Sequence, residues 1–144
     1  MVICADTSFL FSVYGNDGNT SRAVAWLKTR RTPLTLSTLN EHELANALRF
    51  AEFRKWLGPG EASMFWAQFE ADQASGRLKI QVCNLADVMD EAKRLSATHT
   101  LTGGHRGFDI LHMAVSIRLK AKQFLTFDRN QKRLAESEGL VVPV

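Results

Sequence analysis

Two short apolar runs in this chain each stop on an aspartate: Val2-Ile3-Cys4-Ala5-Asp6 and Phe124-Leu125-Thr126-Phe127-Asp128. Bounded runs of this kind suit strands of a parallel sheet covered on both faces. In an open α/β sheet, ligands bind in the crevice beyond the carboxyl ends of the strands. Two carboxylates brought to that edge from opposite ends of the chain point to a shared acidic site. Such a site repels itself unless a cation or a proton sits in it.

Between the two runs, strand and helix signals alternate with no linker, repeat or low-complexity tract. Asp17-Gly18-Asn19 marks a turn, and Asn19 or Thr20 can cap a helix that turns Ala23, Val24 and Leu27 inward. Pro33 to Ser37 reads as a short strand. Leu44, Ala47, Leu48 and Ala51 then recur at i, i+3, i+4 and i+7 of a helix, which Gly58-Pro59-Gly60 ends. A helix over Glu61 to Ala74 carries Ala62, Phe65 and Phe69, with Gly76 placed to close it. Leu78, Ile80 and Val82 alternate as a strand, and Val88, Ala92 and Leu95 mark another amphipathic helix. The corner Gly103-Gly104-His105-Arg106-Gly107 precedes an apolar helix from about Asp109 to Lys120. A helix through Leu134 follows the strand ending at Asp128, and Leu140-Val141-Val142 supplies a last strand. The alternation implies βαβ crossovers, hence a three-layer α/β/α sandwich with a central parallel sheet. At 144 residues the chain reads as one domain, 1–144.

Composition narrows the class only modestly. The formal charge of +3 is compatible with a nucleic-acid partner. No apolar stretch approaches the ~20 residues of a membrane span. The N-terminus has no basic region and Asp6 interrupts its apolar run, so a signal peptide is not expected. Cys4 and Cys83 both fall in apolar, strand-like runs and read as buried, reduced thiols, which fits a cytoplasmic protein.

Of the fifteen acidic residues, position singles out few. Asp6 and Asp128 stand at strand ends, where aspartate also serves simply to cap the next helix. Asp109 heads the apolar helix and begins a polar stripe with His112, Ser116 and Lys120, so a favourable place on the helix dipole competes with a role in the site. Glu41 and Glu43 flank the apolar stripe of their helix on opposite sides, and spacing does not choose between them. The four histidines, His42, His99, His105 and His112, form no zinc-site spacing, and His112 reads as a helix-stripe residue. Arg106 and Arg129 each lie within three residues of a candidate acid, where either can hold an RNA phosphate. Trp26, Trp56 and Trp66 read as helix positions used for packing or a partner, with Trp56 the first choice for a partner contact.

Taken in order, Asp6-Thr7-Ser8, Glu43-Leu44-Ala45-Asn46-Ala47-Leu48, Asp109-Ile110-Leu111-His112-Met113-Ala114 and Thr126-Phe127-Asp128-Arg129-Asn130-Gln131 resemble the PIN domain, and within it the small single-domain toxins of VapBC-type toxin–antitoxin pairs. The resemblance extends to Gly139-Leu140 and so covers essentially the whole chain. It implies a magnesium- or manganese-dependent endoribonuclease whose acids match Asp6, Glu43, Asp109 and Asp128, and it selects Glu43 over Glu41. Asp6, Asp109 and Asp128 are then the expected ligands of the metal, and Thr7, Arg106, Thr126, Arg129 and Asn130 the expected contacts to RNA. A cognate antitoxin and a homodimer are the implied protein partners. Asn130 departs from the family pattern, which often has an acid shortly after the fourth motif position. Thr98 to Gly107 matches no motif. The alternative is a catalytically inert fold of the same kind that binds RNA or protein. A haloacid-type phosphatase would want a second aspartate where Ser8 stands, and a receiver domain a strand-end lysine, whereas Lys122 precedes its strand.

Overall fold

Sorting of side chains across the first strand divides the molecule into layers. The computed structural model describes all 144 residues. β1 (Ile3–Ala5) is buried throughout: Ile3 and Ala5 join one apolar cluster and Cys4 another. β4 (Gln123–Leu125) does the same, with Leu125 on the first side and Phe124 on the second. Successive strand residues face opposite ways, so a sheet covered on both faces needs apolar residues at every position.

The first cluster is covered by α1 (Thr7–Tyr14), α2 (Thr20–Lys28), α3 (Thr38–Phe53) and α4 (Glu61–Ala74) through Phe9, Leu10, Ala23, Leu44, Leu48 and Phe69. The second is covered by α5 (Leu85–Leu95), α7 (Gly107–Arg118) and α8 (Arg129–Ser137) through Val88, Leu95, Ile110, Met113, Leu134 and Ala135. The expected α/β/α sandwich is therefore present. Between α5 and α7 the chain makes one π-helical turn, Ser96–Thr100, and a short α6 (Leu101–Gly103), in the stretch that matched no motif. Gly104 follows with φ +65°, in the left-handed region that favours glycine.

β1 pairs in parallel with β4, and β2 (Leu34–Leu36) with β3 (Leu78–Ile80). β1 and β2 lie side by side without a ladder between them, so two two-stranded parallel ladders set edge to edge give the spatial order β3-β2-β1-β4. The register sets Ile3 against Gln123 and Ala5 against Leu125.

Four local readings change. α1 occupies a stretch whose Phe-Leu-Phe-Ser-Val run carries no clear helical period; Asp6 starts it by accepting a hydrogen bond from the Phe9 N–H. The expected last strand contracts to one parallel bridge, Val141 to Gln123. Val82 lies beyond β3 and is 80% exposed, and Cys83 beside it is only half-buried, because the ladder stops at Ile80; both cysteines are free. α3 ends at Phe53, so Trp56 projects from the following turn, 69% exposed, instead of from a helix.

Glu138, after α8, ties that helix to the α5 end of the second layer. It accepts hydrogen bonds from Arg94 at 2.8 Å and from His99 Nε2 at 2.6 Å, while Arg94 also holds Glu91. The Arg94 bonds hold the Glu138 carboxyl below its ordinary range despite partial burial. A depressed carboxylate adds stability above its unfolded pKa and loses it as pH falls through the folded value. Glu138→Gln should therefore lower Tm at pH 7 by about 3–5 °C, corresponding to roughly 1 kcal/mol. In thermal melts from pH 7 to pH 3 this gap should close below pH 4; a gap of constant size would show that the charge is not what matters.

Candidate active site

Strand order decides where a crevice opens. From β1 the chain builds outward to β2 and β3 on one side, then returns to place β4 on the other, so the switch point lies between β1 and β4. Asp6 and Asp128 follow these two strands directly. Each also caps the helix behind it: Asp6 Oδ1 accepts from the Phe9 N–H at 3.1 Å, and Asp128 Oδ1 from the Gln131 N–H at 2.8 Å. The capping reading and the site reading of these aspartates hold together.

Continuing the β1–β4 register by one residue brings Thr126 beside Asp6. Thr126 Oγ1 donates to Asp6 Oδ2 at 2.6 Å and accepts from the Asp128 N–H at 3.0 Å. Ser8 Oγ donates to Asp6 Oδ1 at 2.7 Å and accepts from the Phe127 N–H at 3.0 Å. Each hydroxyl has one proton, and both are spent on Asp6. Asp6 is 3% exposed. Burial pushes its carboxyl up to about 6, against the three hydrogen bonds, which favour the charged form.

Glu43, 28% exposed at its side chain, faces His112 of α7, with Nε2 to Oε1 at 3.1 Å. The neighbours of His112 fix its tautomer. The Ser37 N–H can only donate, and it meets Asn40 Oδ1 at 2.9 Å. Asn40 Nδ2 therefore faces the Ala5 carbonyl at 3.0 Å and His112 Nδ1 at 3.4 Å. His112 Nδ1 is thus an acceptor, its proton sits on Nε2, and that proton is donated to Glu43. Burial raises the Glu43 carboxyl, but the His112 bond and the nearby Arg106 charge outweigh it and hold the group below its ordinary value. Thr7 lies close enough to help hold that charge, yet its buried hydroxyl completes no well-formed hydrogen bond.

Asp109 and Asp128 meet at Arg106. The guanidinium Nε donates to Asp109 Oδ2 at 3.1 Å, and a terminal nitrogen lies 4.0 Å from Asp128 Oδ2. Gln131, buried, connects the two acids from behind: its N–H bonds Asp128, and its side-chain amide donates to the Asp109 carbonyl at 2.9 Å. Arg129 is exposed at the start of α8. Asn130 turns away from the acids, donating to the Gly103 carbonyl at 2.9 Å and facing His105 Nδ1 at 3.2 Å, so it pins the loop before Arg106.

An open cleft of about 400 Å³ lies alongside, lined by Thr7, Ser8, Phe11, Asp17, Asn19, Phe127 and Asp128. A larger one, about 440 Å³, lies between α1, α2 and α4 and is bordered by none of the four acids.

The donors fit a hard divalent cation: Glu43, Asp109 and Asp128 each keep a carboxylate oxygen outside this network, Asp6 Oδ2 accepts one hydrogen bond and keeps a second lone pair, and no sulfur competes. In the present arrangement Arg106 holds the cationic position, and no three acidic or histidine side chains close on one point. Ser8, Asn40, His112 and Gln131 carry the site without having been singled out for it. Their signal lies in tertiary pairing: each bonds a residue at least 22 positions away.

The model of the PIN domain family matches residues 3–137. The chain belongs to the PIN domain family. Among solved structures it is similar to Mycobacterium tuberculosis VapC20, a toxin described as cleaving the sarcin-ricin loop, with a TM-score of 0.70 and 18% identity over 96% of both chains. It is also similar to FitAcB from Neisseria gonorrhoeae, with a TM-score of 0.68 and 18% identity over 98% of this chain and 96% of that one. No curated protein sequence matches it. At this identity the likeness to both structures is one of fold.

Two outcomes follow for the metal-free protein. Because the folded pKa of Asp6 is raised, its neutral form is the one that the fold favours. The stability this confers is complete below about pH 4 and is lost as pH rises through about 6. Asp6→Asn keeps the helix cap and removes the charge, so in EDTA its unfolding free energy should exceed wild type at pH 8 by an amount on the order of 2 kcal/mol, and lose that advantage at pH 4. A variant uniformly less stable at both pH values would refute the burial cost. His112→Ala opens a cavity and takes from Glu43 its ring partner, and should cost about 2–4 kcal/mol in urea unfolding; a loss under 0.5 kcal/mol would mean that the network carries no load.

Proposed function

We propose that the protein is a divalent-metal-dependent endoribonuclease that acts as the toxin of a toxin–antitoxin pair. The observation that carries this reading is the meeting of Asp109 and Asp128 at one cationic position, Arg106, at the sheet's switch point, with Glu43 near enough to feel the same charge and Asp6 buried. Membership of the PIN family and the fold shared with a toxin described as cleaving the sarcin-ricin loop support it.

Mg²⁺ or Mn²⁺, held by Asp6, Asp109 and Asp128, would supply positive charge at the scissile phosphate and a more acidic water. The chain's own residues divide the remaining work. Glu43, with Oε1 engaged by His112, offers Oε2 to take a proton from the attacking water. Ser8 and Thr126 keep Asp6 aimed and dry. Arg106 and Arg129, both exposed, are placed for backbone phosphates. Thr7 borders the cleft beside Asp128 where RNA would lie, whereas Thr126 and Asn130 serve recognition indirectly, through Asp6 and through the Gly103–His105 loop.

An antitoxin protein and a second copy are the proposed protein partners. Phe50, Phe53 and Trp56, exposed by 46%, 78% and 69%, supply the aromatic surface from which such contacts gain most. No helix is long and apolar enough to cross a membrane, and action on RNA in the cytoplasm is the proposed setting.

Incubating the isolated protein with total RNA tests the reading. Discrete fragments should form with Mg²⁺ or Mn²⁺, disappear with EDTA, and fall by at least about 100-fold with Asp109→Asn. Folded, metal-loaded protein that leaves every RNA intact would favour the inert binding module instead.

A further inference from the structure

We propose that Arg106 is a built-in counter-ion of the acidic site, expelled by the divalent cation and so delivered to an RNA phosphate only when the site is metal-loaded. This rests on the metal-dependent reading above and adds an order of events to it.

The side chain of Arg106 is 79% exposed, yet it folds back over the acids. It bonds Asp109, stands 4.0 Å from Asp128, and is near enough to Glu43 to help hold that carboxylate charged. No other arginine or lysine forms an ion pair with any of the four acids. Without it, Asp109 and Asp128 would have no cationic partner.

The seat is a loose one. Of the five N–H donors of a guanidinium, one makes a hydrogen bond here, since 4.0 Å is too long for a second. An ion pair this exposed is weakly held. Arg106 also occupies the extended residue before α7, at φ −80° and ψ 158°, and its side chain caps nothing. It can rotate outward without disturbing the helix that carries Asp109.

A hard divalent ion and a guanidinium want the same carboxylate oxygens and repel each other at this spacing. Metal entry therefore evicts Arg106. The evicted side chain stays tethered beside the metal, where a phosphate contacting the ion also lies within its reach. Metal and RNA binding are then positively linked through one side chain.

Two readouts independent of cleavage test this on the whole chain: metal affinity by calorimetry, and the ¹⁵N-labelled Arg106 Nε–H resonance by NMR. In wild type that resonance should shift with added Mg²⁺ and saturate at the calorimetric Kd. Arg106→Gln should bind Mg²⁺ and Mn²⁺ about tenfold more tightly, since one like charge has left the site, with Arg106→Lys in between. Metal binding that is unchanged or weaker in Arg106→Gln, with the wild-type resonance unmoved, would overturn the proposal and make Arg106 a prop for Asp109. Wild-type protein that binds no Mn²⁺ at all would overturn this proposal together with the metal-dependent function, so the two failures are told apart.

Discussion

The hydrogen bond from Thr126 to Asp6 joins residues 120 positions apart, and the rest of the site is arranged around it. It forms only if β1 and β4 are neighbours in parallel with Ala5 opposite Leu125. A register slip of one residue would turn Cys4 and Phe124 onto the wrong face and carry Thr126 away from Asp6. The apolar alternation that specifies the core therefore also specifies the acidic edge. Packing and chemistry use one constraint.

That economy has a thermodynamic side. Asp6 is charged only against the cost of its own burial, and three donors do not fully offset it. Around it, Asp109 and Asp128 lean on one exposed arginine, and Glu43 on the His112 ring. Sites built this way are less stable than the scaffold could otherwise be, a common trade for reactivity. The scaffold answers with positioning bonds: Gln131 fastens α8 to the start of α7, and Asn40 fastens the start of α3 to β1.

The architecture was legible because its strands are short, largely apolar runs and its helices are periodic. Leu44 and Leu48, or Val88, Ala92 and Leu95, disclose their buried faces without tertiary information, and these residues are buried. Segments where the two signals overlap were harder. Phe9 to Val13 is too apolar to show a helical period, and Leu140 to Val142 has the composition of a strand but keeps only one bridge. At the site, Asp6 and Asp128 could be read from strand ends and Asp109 from a helix start. The choice of Glu43 over Glu41 came from the family resemblance, and the structure sets Glu43 against His112. His112 itself was hidden by its spacing, which places it on a polar stripe although the residue is buried. Periodicity describes one helix at a time, whereas a buried polar residue is explained by a partner on another.

The strand order has a consequence in time. β1 is made before its partner β4, Ile3 standing 120 positions ahead of Gln123, and the intervening chain supplies most of both helical layers. Pairings this distant in sequence form late in folding, after their loops have been closed. Until Asp128 has emerged, the nascent chain has no second strand end to complete the crevice, and Thr126 is not there to steady Asp6. A copy interrupted before Asp128 therefore has no assembled crevice, whatever its first strand has already contributed.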